Sequence, residues 1–100
     1  MRVIAGSARK RRLKAPPGRD VRPTADRVKE ALFNILAERI DGCAFLDLFA
    51  GTGGVGIEAL SRGAEKAVFI EKDARVIKVL QDNLSITGLA DRAEIICSEI

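Results

Sequence analysis

Two acidic residues and a cluster of glycines hold most of the chemistry this sequence can offer. Phe45-Leu46-Asp47-Leu48-Phe49-Ala50-Gly51-Thr52-Gly53-Gly54-Val55-Gly56 is a short apolar stretch that runs into glycines and then into a helical pattern. A strand that opens on a glycine turn gathers backbone N–H groups and a helix N-terminus at one point, so a ligand can approach main chain with no Cβ in the way. Gly51, Gly53 and Gly56 fit the G-x-G-x-x-G spacing of dinucleotide sites, a spacing that several cofactor classes share. Asp47 narrows the choice. A pyrophosphate held at the turn would lie unfavourably close to a carboxylate at the carboxyl end of the same strand, whereas a cationic or zwitterionic ligand is favoured there. Asp47 can also hydrogen-bond N–H groups of its own turn, and the two roles are compatible. Glu71 ends the next apolar run twenty residues after Gly51, where an acidic side chain is placed to accept both hydroxyls of a ribose. The chain has no histidine, which excludes His-based general-base chemistry and His-ligated metal within these residues.

The elements that must position these groups follow from periodicity. Cys43 to Phe49 reads as a strand, apolar enough throughout to be covered on both faces. A helix over about Val55 to Arg62 stops at Gly63, and Lys66 to Ile70 forms the second strand. Asp73 caps a further helix whose buried stripe is Val76, Ile77, Leu80 and Leu84 and whose end is Gly88. Arg92 to Cys97 is the third strand, from which Ser98 and Glu99 emerge. Strict alternation of strand and helix means right-handed crossovers and a parallel sheet, an α/β architecture. Ahead of it, Thr24 is the expected N-cap of a helix with Asp26 in its first turn. Val28, Ala31, Leu32, Ile35 and Leu36 form its sheet-packing stripe, and Asp41-Gly42 is its stop. Arg2 to Ala5 and Leu13 to Ala15 read as short strands flanking a polar connection, a hairpin-like arm.

Charge divides the chain unevenly. Residues 1–41 hold eleven Lys or Arg against five Asp or Glu, whereas residues 42–100 hold six against nine. A basic arm with no apolar face beside its charges argues for a polyanionic partner, nucleic acid ahead of membrane. Arg9, Lys10, Arg11, Arg12 and Lys14 fall within six positions. If all five meet phosphate on a single strand, log affinity falls against log salt with a slope of about −3 to −4. Arg22 and Arg27, near the helix start, are open to phosphate contact, cofactor-carboxylate contact or plain surface. Hydrophobic residues make up 47% and charged ones 31%, the balance of a soluble globular chain. Cys43 and Cys97 lie in apolar runs without metal-type spacing and read as buried thiols in a reducing compartment. No window reaches transmembrane length and no secretory segment opens the chain, which points to the cytoplasm.

Asp47-Leu48-Phe49-Ala50-Gly51-Thr52-Gly53 resembles motif I of the class I S-adenosylmethionine-dependent methyltransferases, whose ligand carries a sulfonium and an ammonium. More specifically, the chain resembles the RsmD-type 16S rRNA guanine-N2 methyltransferases of bacteria over its whole length. The opening RVIAG, the basic RKRRLK, the segment RPTADRVKEALFNIL, the loop LDLFAGTGGVGIEALSRGA and the following VFIEKD carry that likeness. The resemblance implies a Rossmann-like class I methyltransferase fold, with a parallel sheet and helices on both faces, behind a basic N-terminal β-hairpin arm. It divides the chain into an arm over 1–22 and the N-terminal half of an S-adenosylmethionine-binding domain over 23–100, with the C-terminal strands missing. It implies methyl transfer to the exocyclic amine of a guanine in 16S rRNA, free or in an assembling small subunit, with no membrane and no metal. Asp47, Gly51 and Gly53 would line the methionine end of the cofactor, Glu71 the ribose and Glu99 the neighbourhood of the adenine. Arg9, Lys10, Arg11, Arg12, Lys14, Arg22 and Arg27 would meet RNA.

Members of that family also carry Asp or Asn, Pro-Pro and an aromatic after the fourth strand. The only prolines here are Pro16, Pro17 and Pro23, in other contexts, so no catalytic residue is expected in this chain. An exocyclic amine needs acceptors to orient its N–H groups and an aromatic face to hold the base. The expectation is therefore an N-terminal part of a longer polypeptide, inactive alone and open to association through an uncovered strand edge. Two other readings stay open: an NAD- or FAD-binding oxidoreductase module using Gly51, Gly53, Gly56 and Glu71, and an RNA-binding module without catalysis.

Overall fold

The computed structural model describes residues 1–15 and 23–99. Helix α1, Pro23–Ile40, is followed by β1 (Ala44–Asp47), α2 (Gly54–Ser61), β2 (Lys66–Glu71), α3 (Ala74–Thr87), a single 3-10 turn (Ala90–Arg92) and β3 (Ala93–Cys97). The strands form one parallel sheet in the order β1-β2-β3. Asp47 is paired with Phe69, Phe69 with Ile95 and Glu71 with Cys97. The expected α/β order is thus the observed one, with element ends shifted by a residue or two. Side chains alternate across a strand, so this register puts Asp47, Phe69 and Glu71 on the same side of the sheet. That is the side on which Ala67 and Phe69 are fully buried and Phe45, Ala93 and Ile95 pack on the core.

Four expectations are corrected here. Among the described residues strand β1 is covered on one face only: α2 packs on the Phe45 side, where Phe33 of α1 stacks on Phe45, and Leu46, on the other, is 58% exposed. Helix α1 starts on Pro23, so Thr24 lies inside its first turn and is not the N-cap. Proline's fixed φ is already helical and its missing N–H is no loss at that position. Of the expected α1 stripe only Leu36 packs on the core; Val28, Ala31, Leu32 and Ile35 are exposed. Phe33 and Ile40 are buried together with Lys29, whereas Val28 and Ile35 are 65% and 81% exposed. The rotation places Lys29 over an acid on α2 and the Phe33 ring beneath the Arg62 guanidinium, 5.0 Å from its centroid. Cys97, finally, is exposed, because it ends β3 at the strand tips.

Helix α3 follows its reading more closely. The Asp73 side chain accepts the Arg75 N–H at 2.9 Å, and Gly88 closes the helix in the left-handed region at φ 70°. Ile77, Leu80 and Leu84 are buried as expected, Val76 only partly, and Asn83 completes the stripe.

The N-terminal segment is built into the core. One antiparallel bridge joins Arg2 to Arg12, with the Val3 N–H donating to Arg11 O and the Lys10 N–H to Val3 O, both at 2.9 Å. The return strand therefore lies around Lys10–Leu13, not Leu13–Ala15. Val3, Ala8 and Leu13 are buried in the main apolar cluster. Val3 and Leu13 each contribute about 1.5–3 kcal/mol of burial.

Candidate functional site

Local backbone chemistry makes the glycine turn. After Asp47 the chain leaves the sheet, returns an Ala50 N–H to Ile70 O at 3.0 Å, and turns through Gly51 and Gly53 at φ 55° and 93°. Those angles lie in the region that side chains disfavour. A Cβ on Gly51 would meet nothing within 4 Å, so that position faces open space. Gly56 answers a different demand, because a Cβ there would run into the Phe69 ring and hold α2 off the sheet.

Two carboxylates stand at this turn. The Asp47 carboxylate accepts the Phe49 N–H at 3.3 Å, the contact with its own turn that Asp commonly makes. Its pKa is raised: burial is the main cause and the Glu71 charge adds to it, while the Phe49 and Gly56 N–H groups pull the other way. Glu71 spans the gap between strand tip and loop. One of its oxygens accepts the Gly51 N–H at 3.0 Å and the other the Asp73 N–H at 2.9 Å. Beside it opens a hollow of about 410 Å³ lined by Leu48, Phe49, Ile70, Glu71, Ser98 and Glu99 among others. Glu71 and Glu99 thus share one cavity, and Asp47, Gly51 and Gly53 adjoin it at the turn without lining it. Lys72 also lines the hollow, but at the turn itself the raised pKa of Asp47 beside Glu71 marks a place where a positive charge would be welcome. Among the described residues no cluster of His, Cys, Asp or Glu could hold a metal ion.

The basic residues separate into groups. Arg9, Lys10 and Arg27 line a second hollow, of about 400 Å³, together with Arg2. Arg11 and Arg12 are exposed on the return strand, and Lys14 faces Asp82 at 3.5 Å. Arg22 lies outside the described residues.

A buried acid on α2, which sequence spacing does not single out, holds that basic segment. Glu58, on α2, is fully buried. Its Oε1 accepts the Ile4 N–H at 2.9 Å and lies 3.2 Å from Lys29 Nζ; its Oε2 accepts the Ala5 N–H at 3.1 Å and Arg62 Nε at 2.8 Å. Burial pushes the Glu58 carboxyl up, yet the Ile4 N–H, the Arg62 guanidinium, Lys29 and the Ala5 N–H outweigh it, so its pKa is lowered. Ser61, one turn on, accepts the Ala8 N–H at 2.9 Å and donates to Ala5 O at 2.6 Å. Asn83 exchanges two hydrogen bonds with the Lys14 backbone and donates to Thr52 O at 2.9 Å. A lone acid inside the apolar run GVGIEALS was the one available signal.

With this geometry in place, comparison with known proteins is decisive for descent. The family described as conserved hypothetical protein 95 matches residues 1–99. The chain belongs to that family. A relative named ribosomal RNA small subunit methyltransferase D, from Haemophilus influenzae, is 45% identical over 97 residues, covering 96% of this chain and 50% of its own. A solved Escherichia coli structure covers 99% of this chain and 53% of its own, with a TM-score of 0.87 and 46% identity. An RNA methyltransferase from Salinibacter ruber, solved in complex with S-adenosyl-L-homocysteine, aligns over 78% of this chain and 50% of its own with a TM-score of 0.68 at 25% identity. The RsmD-type resemblance and the class I methyltransferase fold are therefore borne out. The chain spans about half the length of the curated relatives it matches.

Proposed function

We propose that the protein is an S-adenosylmethionine-dependent methyltransferase acting on the exocyclic N2 amine of a guanine in 16S rRNA, and that these residues form its cofactor half and RNA-facing segment. The observation that carries this reading is the bridge from Glu71 to the Gly51 N–H beside a desolvated Asp47. Two anionic groups at a glycine turn suit a sulfonium and an ammonium and repel a pyrophosphate. Asp47, Gly51 and Gly53 hold the methionine end. Glu71 keeps lone pairs free for ribose hydroxyls after accepting two backbone N–H groups, and Glu99 stands across the same hollow for the adenine. The bound cofactor supplies the methyl group; this chain's residues bind and orient it. Arg9, Lys10, Arg11, Arg12, Lys14, Arg22 and Arg27 meet the RNA, with 1–22 as the RNA segment and 23–100 as the cofactor domain. A cytoplasmic setting fits such a substrate. Among the described residues no helix is long and apolar enough to cross a membrane.

Calorimetric titration with S-adenosylhomocysteine and with NADH tests the reading. Heat of binding with the first and none with the second is expected, and Glu71→Gln weakens it at least tenfold. Preference for NADH overturns it in favour of an oxidoreductase module.

A further inference from the structure

The cations of the N-terminal segment do not form an even strip. Arg2, Arg9 and Lys10 from the hairpin and Arg27 from α1 surround one hollow of about 400 Å³ that also touches Asp26 and Glu30. Among the described residues none of these four cations forms an ion pair, whereas Lys14, Lys29, Arg62, Lys66 and Arg75 all do. Four cations against the two carboxylates Asp26 and Glu30 leave the hollow with an excess of positive charge, which favours an anion. The backbone is also strained there. Lys10 has φ 73°, in the left-handed region that non-glycine residues seldom enter and that clusters at binding sites. The wall is held rigidly, because the peptide groups of Ile4 and Ala5 are fastened to the buried Glu58 and Lys29 Nζ donates to Arg2 O at 2.8 Å. Asp26, another lining residue, keeps a buried Oδ1 without a hydrogen-bond donor among the described residues.

A single phosphate would leave most of this volume empty, whereas a nucleotide matches the lower range of small-molecule sites. We infer that the hollow between the hairpin and the start of α1 seats one nucleotide of the RNA, its phosphate among Arg2, Arg9, Lys10 and Arg27 and a sugar or base donor toward Asp26 and Glu30. This rests on the RNA-substrate reading and makes it specific: the segment anchors one nucleotide in a built site, instead of tracking successive phosphates along a charged surface.

Salt dependence separates these two arrangements. Each phosphate neutralised on single-stranded RNA contributes about 0.7 to the slope of log affinity against log salt. If Arg9 and Arg27 share one phosphate, the Arg9→Gln/Arg27→Gln variant of the full chain changes that slope by about 0.7, and its loss of affinity is smaller than the sum of the two single losses. If they meet separate phosphates, the slope changes by about 1.4 and the losses add. Fluorescence anisotropy with a short single-stranded RNA at several salt concentrations reads both quantities. Guanosine 5′-monophosphate and guanosine, added separately, complete the test: the nucleotide shifts the amide NMR signals of Val3, Lys10 and Arg27, and the nucleoside alone does not. Additive losses with the larger slope change, or unmoved signals with the monophosphate, overturn the proposal. S-adenosylhomocysteine affinity is unchanged in these variants, so a failure of cofactor binding in the parent counts against the methyltransferase reading and not against the nucleotide seat.

Discussion

Removing the Glu58 carboxylate is the sharpest perturbation the fold offers. It is fully buried and meets Lys29, itself 4% exposed, the Arg62 guanidinium and the N–H groups of Ile4 and Ala5. Deleting one partner of a buried pair strands the other charge, at about 3–5 kcal/mol. Glu58→Ala therefore loses about that much, and at roughly 4–8 °C per kcal/mol for a chain of this size the melting temperature falls by more than about 12 °C. Glu58→Gln keeps the shape and one acceptor but points an N–H at donors, and loses about 2–3 kcal/mol. Adding Lys29→Met to Glu58→Gln restores about 1–2 kcal/mol, because the stranded ammonium goes with it. The acid limb gives an independent check. The folded pKa of Glu58 lies below its unfolded value, so its contribution is fully present above about pH 4.3 and drains away as pH falls through the folded pKa. Glu58→Gln flattens that limb. Urea melts at neutral pH and through the acid range measure all of this. If Glu58→Ala stays within about 1 kcal/mol of the parent with an unchanged acid limb, the network does not hold the segment.

Asp47 titrates in the opposite sense. Its folded pKa is raised by burial and by Glu71, so the ionised form weakens the unliganded fold above that pKa and the penalty vanishes as pH falls through it. Asp47→Asn is accordingly about as stable as the parent or slightly more so at neutral pH by urea melt, yet loses at least tenfold in S-adenosylhomocysteine affinity by calorimetry. Gly56→Ala drives a Cβ into the Phe69 ring and costs about 1–3 kcal/mol by overpacking, read from the same melts. Asn83→Ala leaves the Lys14 and Thr52 backbone groups without partners. It costs about 1–3 kcal/mol and speeds amide exchange at Lys14.

Alternation of strand and helix made the parallel sheet legible, and the residues that needed only local chemistry were read well: Asp73 as a cap, Gly88 as a stop, Gly51 and Gly53 as a turn. Residues decided by distant partners were not. Helix α1 has apolar side chains on two faces, and its period cannot choose between Val28 with Ile35 and Phe33 with Ile40. The choice is made by Glu58, which draws Lys29 inward. The basic run likewise looked like a free arm because its charges are conspicuous, whereas Val3, Ala8 and Leu13, three scattered apolar side chains, fix its position. A strand-end acid at Glu71 is visible in the sequence, and the structure shows a hollow beside it; the hollow beside Arg27 depends on a hairpin folding back onto a helix, which no spacing discloses.

Helix α2 ties the surroundings of the two hollows together. It starts directly after the glycine turn, with the Met1 side chain against Gly54; Glu58 in its middle and Ser61 at its end hold Ile4, Ala5 and Ala8. Across the groove, Asn83 on α3 grips both Lys14 and Thr52. The glycine turn and residues 1–15 are therefore fastened to the same short element by buried hydrogen bonds. Methyl transfer needs the reacting atoms within a few tenths of an ångström of a productive geometry. On the proposed function, a segment that anchors RNA far from the methyl group serves that need only if it cannot drift relative to the donor. A buried ion network is a costly way to add stability, but an effective way to fix one register of the segment on the helix.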